Sequence, residues 1–377
     1  MRQRSWLWVV AGFVLVITLV YWYVGRVNST HPALWAMSGG DAGHRNYVRD
    51  PFPAKADIVW KYSLGALQDN LSPVVVWSDG TAYLAADSKV VAVGPDGKRR
   101  WAWETGQQVV SLALGRRGNI YALTSTHLYA LNPDGSQQWQ LEIDLGNTQY
   151  QLVVGQAGVI YATGDRFMYA VDSTGHMNWR FKADHIADAV AESPSGKLLL
   201  LVGDRLYCLT HQGDTIWDVV VSDEAPNRSV SVSANDLVYV LGRTLQVHGI
   251  DGRSGWKQQP LEDFRAVNVA LGKALVQRGQ QRLDPKAQTE LWEAEQPVVP
   301  SFTYVLVDSR GNTLVQQIPE RNRQESTLFL LDSQGKKQWE YKAARLYGTV
   351  APGQGRFYFV AYDQATRSFF LYCVGER

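Results

Sequence analysis

A tryptophan that returns about every forty residues is the feature that most restricts what this chain can fold into. Six segments end on it in the same way: VVAVGPDGKRRW at Trp101, LYALNPDGSQQW at Trp139, MYAVDSTGHMNW at Trp179, LYCLTHQGDTIW at Trp217, LQVHGIDGRSGW at Trp256 and LFLLDSQGKKQW at Trp339. A glycine stands four residues earlier in all six, at Gly97, Gly135, Gly175, Gly213, Gly252 and Gly335. A degenerate copy, QRLDPKAQTELW, ends at Trp292 and lacks it. Successive spacings from Trp101 are 38, 40, 38, 39, 36 and 47 residues. A period of this length marks an array of one supersecondary unit, each copy burying its apolar face against the next.

Within a unit the pattern is that of strands. VVSLALG, NIYALTS, HLYALNP and SQQWQLEI alternate apolar and polar positions between turn residues. The Pro-Asp-Gly and Ser-Thr-Gly turns supply the positive φ that a bulged hairpin needs. Four strands in about forty residues make one blade of a β-propeller. Composition agrees, with 33 Gly, 14 Trp and 18 Tyr but only 19% charged residues.

The two ends of the array complement each other. The last unit runs GRFYFVAYD and SFFLYCVGER and stops before a tryptophan strand. That strand stands at the front, in ADIVWKYSL (residues 56–64), whose Trp60 precedes Trp101 by 41 residues. Pairing the two would abolish an exposed sheet edge. Trp60, Trp101, Trp139, Trp179, Trp217, Trp256, Trp292 and Trp339 then mark eight blades. The expected fold is all-β, an eight-bladed propeller over residues 56–377 closed by an N-terminal strand.

The first thirty residues read differently. Trp6 to Val24 (WLWVVAGFVLVITLVYWYV) carries no charge and has the length of a membrane-crossing helix. Aromatic residues sit at both of its ends, at headgroup level. Arg2 and Arg4 flank one side and only Arg26 the other, which places a stub of residues 1–5 in the cytoplasm and the propeller outside. A cleaved signal peptide is the rival, but the apolar run is long and bulky YWYVGR offers no small-residue cleavage site. Residues 25–55 form a tether and leader. The expected location is therefore a single-pass membrane protein with an extracytoplasmic propeller. Beyond residue 30 the chain has 34 basic against 36 acidic side chains, which leaves no electrostatic footprint for nucleic acid.

YAVDSTGHMNW (169–179) and LLDSQGKKQW (330–339) resemble the tryptophan-docking repeat of pyrroloquinoline-quinone-type (PQQ-like) propellers, and WAMSGGDAGHRNYVRD (35–50) looks like the segment preceding blade closure in that family. The resemblance spans residues 35–377. It implies either a quinone-cofactor dehydrogenase or a cofactor-free eight-bladed scaffold of the outer-membrane assembly lipoprotein type; fold alone does not choose. Family dehydrogenases use a calcium ion and often two adjacent cysteines, whereas Cys208 and Cys373 are far apart and occupy the same repeat position in blades four and eight. They read as small core residues that cannot reach each other.

Other chemistry finds little support. The histidines (31, 44, 127, 176, 185, 211 and 248) are scattered singly, without metal-ligand spacing; His176 and His211 fall at turns and read as solvated. The Asp-x-x-Gly turns lack the alternating carboxylates of a calcium loop. Asp184, His185 and Asp188 lie together between blades three and four, yet no nucleophile accompanies them. GGDAGH (39–44) follows no strand and opens no helix, so a phosphate cradle is unsupported. The sequence thus names no catalytic, cofactor or metal residue. The one insertion, IPERNRQES in blade seven, makes Glu320, Arg321, Asn322, Arg323 and Gln324 a candidate partner-binding loop, or else a solvated loop that tolerates extra length. Polar Gln280, Gln281 and Arg282 mark blade six as weakened or as covered by a partner. The expectation is a non-enzymatic scaffold binding a protein or envelope component. The alternatives are a quinone- or metal-dependent oxidoreductase, and a carbohydrate sensor using aromatics such as Trp77 or Tyr347.

Overall fold

The computed structural model describes residues 33–67, 71–146, 150–185, 187–221, 228–242, 244–258, 264–270, 273–278, 281–284, 289–293, 303–317 and 325–376. The apolar run 6–24 and the candidate loop 320–324 lie outside them. Among the described residues no helix is long and apolar enough to cross a membrane.

Described strands group into eight sheets, numbered below in chain order. Sheet two is representative, with Ser111–Leu114, Ile120–Leu123, His127–Leu131 and Gln137–Glu142 joined antiparallel in sequence order. From sheet one to sheet seven the first strand of each sheet lies beside the first strand of the next, and Leu346–Gly353 of sheet eight lies beside Val75–Val76 of sheet one. Second strands are the most buried: Ala82–Ala86, Ile160–Gly164 and Leu198–Val202 have every residue inside. Fourth strands such as Gln137–Glu142, Met177–Lys182 and Thr215–Val220 alternate exposed and half-buried positions. Burial therefore falls from the second strand outward, as in the blades of a β-propeller with the core between sheets.

The repeat glycine and tryptophan act across sheets. Each glycine has φ between 78° and 89°, beside a register shift where the third strand meets the fourth, as at Gln137/Trp139. At Gly97, Gly135, Gly175, Gly213 and Gly252 the bare Cα receives the tryptophan of the preceding sheet: a Cβ on Gly97 would come within 2.8 Å of Trp60, and one on Gly135 within 2.6 Å of Trp101. The indole N–H then donates to a turn carbonyl of that same neighbour, Trp101 Nε1 to Pro133 O at 2.8 Å and Trp217 Nε1 to Ile250 O at 3.0 Å. Glycine and tryptophan recur together because sheets one to four each supply a socket to one neighbour and a plug to the other.

Closure follows the expected route. Asp57–Gly65 pairs antiparallel with Ser368–Gly375, Trp60 opposite Cys373, and Trp60 Nε1 donates to Pro95 O at 3.0 Å. Sheet eight has no turn leading into a fourth strand, so Trp339 of sheet seven docks instead on the leader, donating to Pro53 O at 2.9 Å. The Trp256 and Trp292 backbones lie in the Ser254–Gln258 and Thr289–Glu293 strands.

Candidate functional site

The sequence marks residues 25–55 as a tether and leader. Its described part crosses the place where the first strands end. Leu34 N donates to Val76 O and Val76 N to Trp35 O, at 2.9 and 2.8 Å. Leu114 N donates to Ala36 O, Glu192 N to Ala42 O, Val232 N to Gly43 O and Val307 N to Asn46 O, at 2.7–3.1 Å. Tyr47–Val48 then adds a fifth, parallel strand to Thr303–Asp308 of sheet seven. Leader carbonyls thus pair N–H groups at strand ends that would otherwise be left buried without partners. The path bends at Gly39, Gly40, His44 and Asn46, all at positive φ. Gly40 lies against the ring of fully buried Trp35, where a Cβ would approach to 2.6 Å. The glycine-rich GGDAGH stretch is therefore backbone geometry for a crossing, not a phosphate loop.

Because strands alternate in direction, one face of the molecule carries the leader, the first-to-second turns and the glycine turns. The opposite face carries the second-to-third turns and the links between sheets. A pocket of about 140 Å3 opens between the two, lined by Ser38, Gly39, His44 and Asn46 of the leader and by Gln151, Ala189, Arg228, Ser229, Val230 and Ser231. Gln151 and Ser229 begin first strands, so the pocket walls belong to the face opposite the leader and the leader is its floor. Ser231 Oγ donates to His44 O at 3.0 Å, Gln151 Oε1 accepts the Val190 N–H at 3.1 Å, and Arg228 Nη1 donates to Gly203 O. Burial lowers the pKa of His44, against the pull of nearby Asp41, so its ring is held neutral. Hydroxyls, amides and one guanidinium suit the place for holding a polar group by hydrogen bonds. None of these lining residues is a carboxylate.

Elsewhere the residues singled out in the sequence stay apart. Cys208 and Cys373 are fully buried and free, with thiols pushed up to about 11 by burial. Asp184, His185 and His176 are exposed. His211 departs from the solvated turn residue expected: its Nδ1 lies 3.0 Å from the buried Tyr161 hydroxyl and 3.8 Å from Glu192 Oε1. Asp172 accepts the Thr174 hydroxyl and the Thr174 and His176 N–H groups; such turns cap themselves. Trp77 and Tyr347 are half-buried, Trp77 against Gly118 and Tyr347 edge-on to Phe369, so neither is the exposed aromatic platform that a sugar would need. Among the described residues no three His, Cys, Asp or Glu side chains are grouped to hold a metal ion. Sequence reasoning missed Glu192 and the leader floor; only the run of Gly39, Gly40 and Gly43 hinted at the crossing.

Comparison with known proteins agrees with this architecture. Residues 86–214 match the family model described as outer membrane protein assembly factor BamB. No curated protein matches the sequence. The crystal structure of BamB from Moraxella catarrhalis superposes with a TM-score of 0.60 at 14% identity, covering 84% of this chain and 99% of the other. The C-terminal WD40 domain of Sif2 gives 0.60 at 12% identity over 86% and 97%. Streptogramin B lyase gives 0.53 at 11% identity over 86% and 100%. At such identities the superpositions speak for the fold only. The family match covers sheets two and three entire with parts of their neighbours, the copies in which the glycine socket and tryptophan plug are most regular, and over that stretch the chain resembles PQQ-like propellers.

Proposed function

We propose that this chain is a membrane-anchored, eight-bladed, extracytoplasmic propeller that binds a protein of the cell envelope and performs no chemistry of its own. The observation that carries the reading is the leader, which occupies the strand ends at one face and leaves the opposite face, with its polar pocket, for a partner. Gln317 and Glu325, the strand ends that flank the insertion at 318–324, belong to that open face, so the candidate loop and the pocket would meet the same partner. The match to an outer-membrane assembly factor favours a component of envelope assembly as that partner. The uncharged run 6–24 and its flanking arginines support the anchor and its orientation.

Photo-crosslinking tests this with the full chain in its own membrane. Probes at Thr126, Asp165 and Asp204, in second-to-third turns, should give a common protein adduct; probes at Asp96, Asp134 and Ser333, in the glycine turns, should not. Adducts spread evenly over both sets, or absent from the first set, would overturn the reading.

A further inference from the structure

The Ala187–Glu192 strand ends on a residue that does two things. Its main-chain N–H donates to the leader carbonyl of Ala42 at 2.7 Å. Its side chain is wholly buried. Oε2 accepts the Gln156 N–H, while Oε1 has no hydrogen-bond partner among the described residues. Gly155 packs so closely that a Cβ there would approach Oε1 to 2.7 Å. The groups facing the carboxyl are His211, with Nδ1 3.8 Å away, Tyr161, whose hydroxyl holds that same nitrogen, and the positive charge of Arg116. On the leader, Asp41 and Arg45 are paired with each other at 3.3 Å. On the sheet-five side, Asp236 accepts the Ser195 N–H and Lys197 donates to Ile250 O.

Asp308 shows what a settled buried acid looks like here. It ends the corresponding strand of sheet seven, is equally inaccessible, and accepts N–H groups of Phe52, Arg310 and Asn312 together with the Asn312 side-chain amide. A buried carboxyl bonded in this way leaves neither oxygen unpaired, whereas a single donor leaves one. Glu192 has one.

We propose that Glu192 is a proton-operated latch on the leader. In the neutral form the carboxyl leaves no buried charge unpaired, and the strand end stays seated under Ala42. When the proton leaves to solvent, the uncompensated charge pulls the strand end toward water and loosens the leader beside it. Burial raises the Glu192 carboxyl above its ordinary value, against the opposing pull of the Gln156 N–H, His211 and Arg116. The sign follows: the contribution is fully present below the unfolded-chain value and is lost as pH rises through the raised folded one.

Hydrogen exchange of the full chain between pH 4 and 9, corrected for intrinsic rate, tests the latch. Protection of the Glu192 amide should fall by about tenfold per pH unit across the window. The Val307 amide, which donates to the leader beside Asp308, serves as an internal control and should not change. In Glu192→Gln the Glu192-site profile should be flat within about twofold. A flat profile in the native chain, or a variant that follows the native slope, overturns the proposal. If the variant does not fold, titration of 13C-labelled glutamate carboxyls in the native chain decides, and a Glu192 signal titrating at or below the ordinary carboxylate range sinks it.

Discussion

Gly135 sits at φ 88° with the Trp101 ring against its Cα, so the position forbids a side chain twice, by backbone conformation and by space. Gly135→Ala should cost about 2 kcal/mol in urea denaturation, the sum of a left-handed strain and a displaced indole. Trp101→Phe should cost about 1–2 kcal/mol, because it removes the bond to Pro133 O and part of the buried ring. The Asp172 carboxyl is held below its ordinary value chiefly by the Thr174 hydroxyl, with the His176 and Thr174 N–H groups adding. Its stabilisation is therefore present above the unfolded-chain value and lost as pH falls through the folded one. Asp172→Ala should be less stable than the native chain at pH 7, and the gap should narrow by pH 3 in paired urea melts. The tryptophans and glycines were legible in the sequence because each recurs in register. Glu192 was not, since its importance comes from what Gln156, Ala42 and His211 leave undone around it, which one-dimensional spacing does not record.

At the scale of the element, the strand Asp57–Gly65 supplies the fourth place in sheet eight and brings Trp60 to its socket at Gly97. Deleting residues 57–65 leaves Ser368–Gly375 with an open edge. Such a variant should lose cooperative unfolding and sediment as aggregate, whereas a variant in which only Trp60 is changed to Phe should stay monomeric. The sequence announced this strand through its orphan tryptophan, one position out of register with the observed limits. It did not announce Tyr47–Val48, because a two-residue parallel pairing has no period to read. The leader as a whole escaped detection for a related reason: its contacts are made by carbonyls, which every residue possesses. Gly40→Ala probes it directly. The methyl group would collide with Trp35, and the expected outcome is a loss of about 2 kcal/mol with faster exchange at Leu114 and Val232.

Over the whole molecule, residues 33–65 touch sheets one, two, four, five, seven and eight by main-chain bonds, strand pairing or tryptophan docking. This segment emerges from the ribosome before any of them. Its partners at Val307 and in Ser368–Gly375 lie roughly 260 and more than 300 positions further along the chain. Sheets one to six can form in turn as they are synthesised, but the segment that stitches them completes its contacts only when Ser368–Gly375 arrives. A nascent chain stalled before Ser368 would hold the leader's contacts to sheets one, two, four, five and seven with Asp57–Gly65 still unpaired. Synthesis of Ser368–Gly375 is thus the step that lets the longest-range pairing in the molecule form, and fastens a thread laid down more than 300 positions earlier.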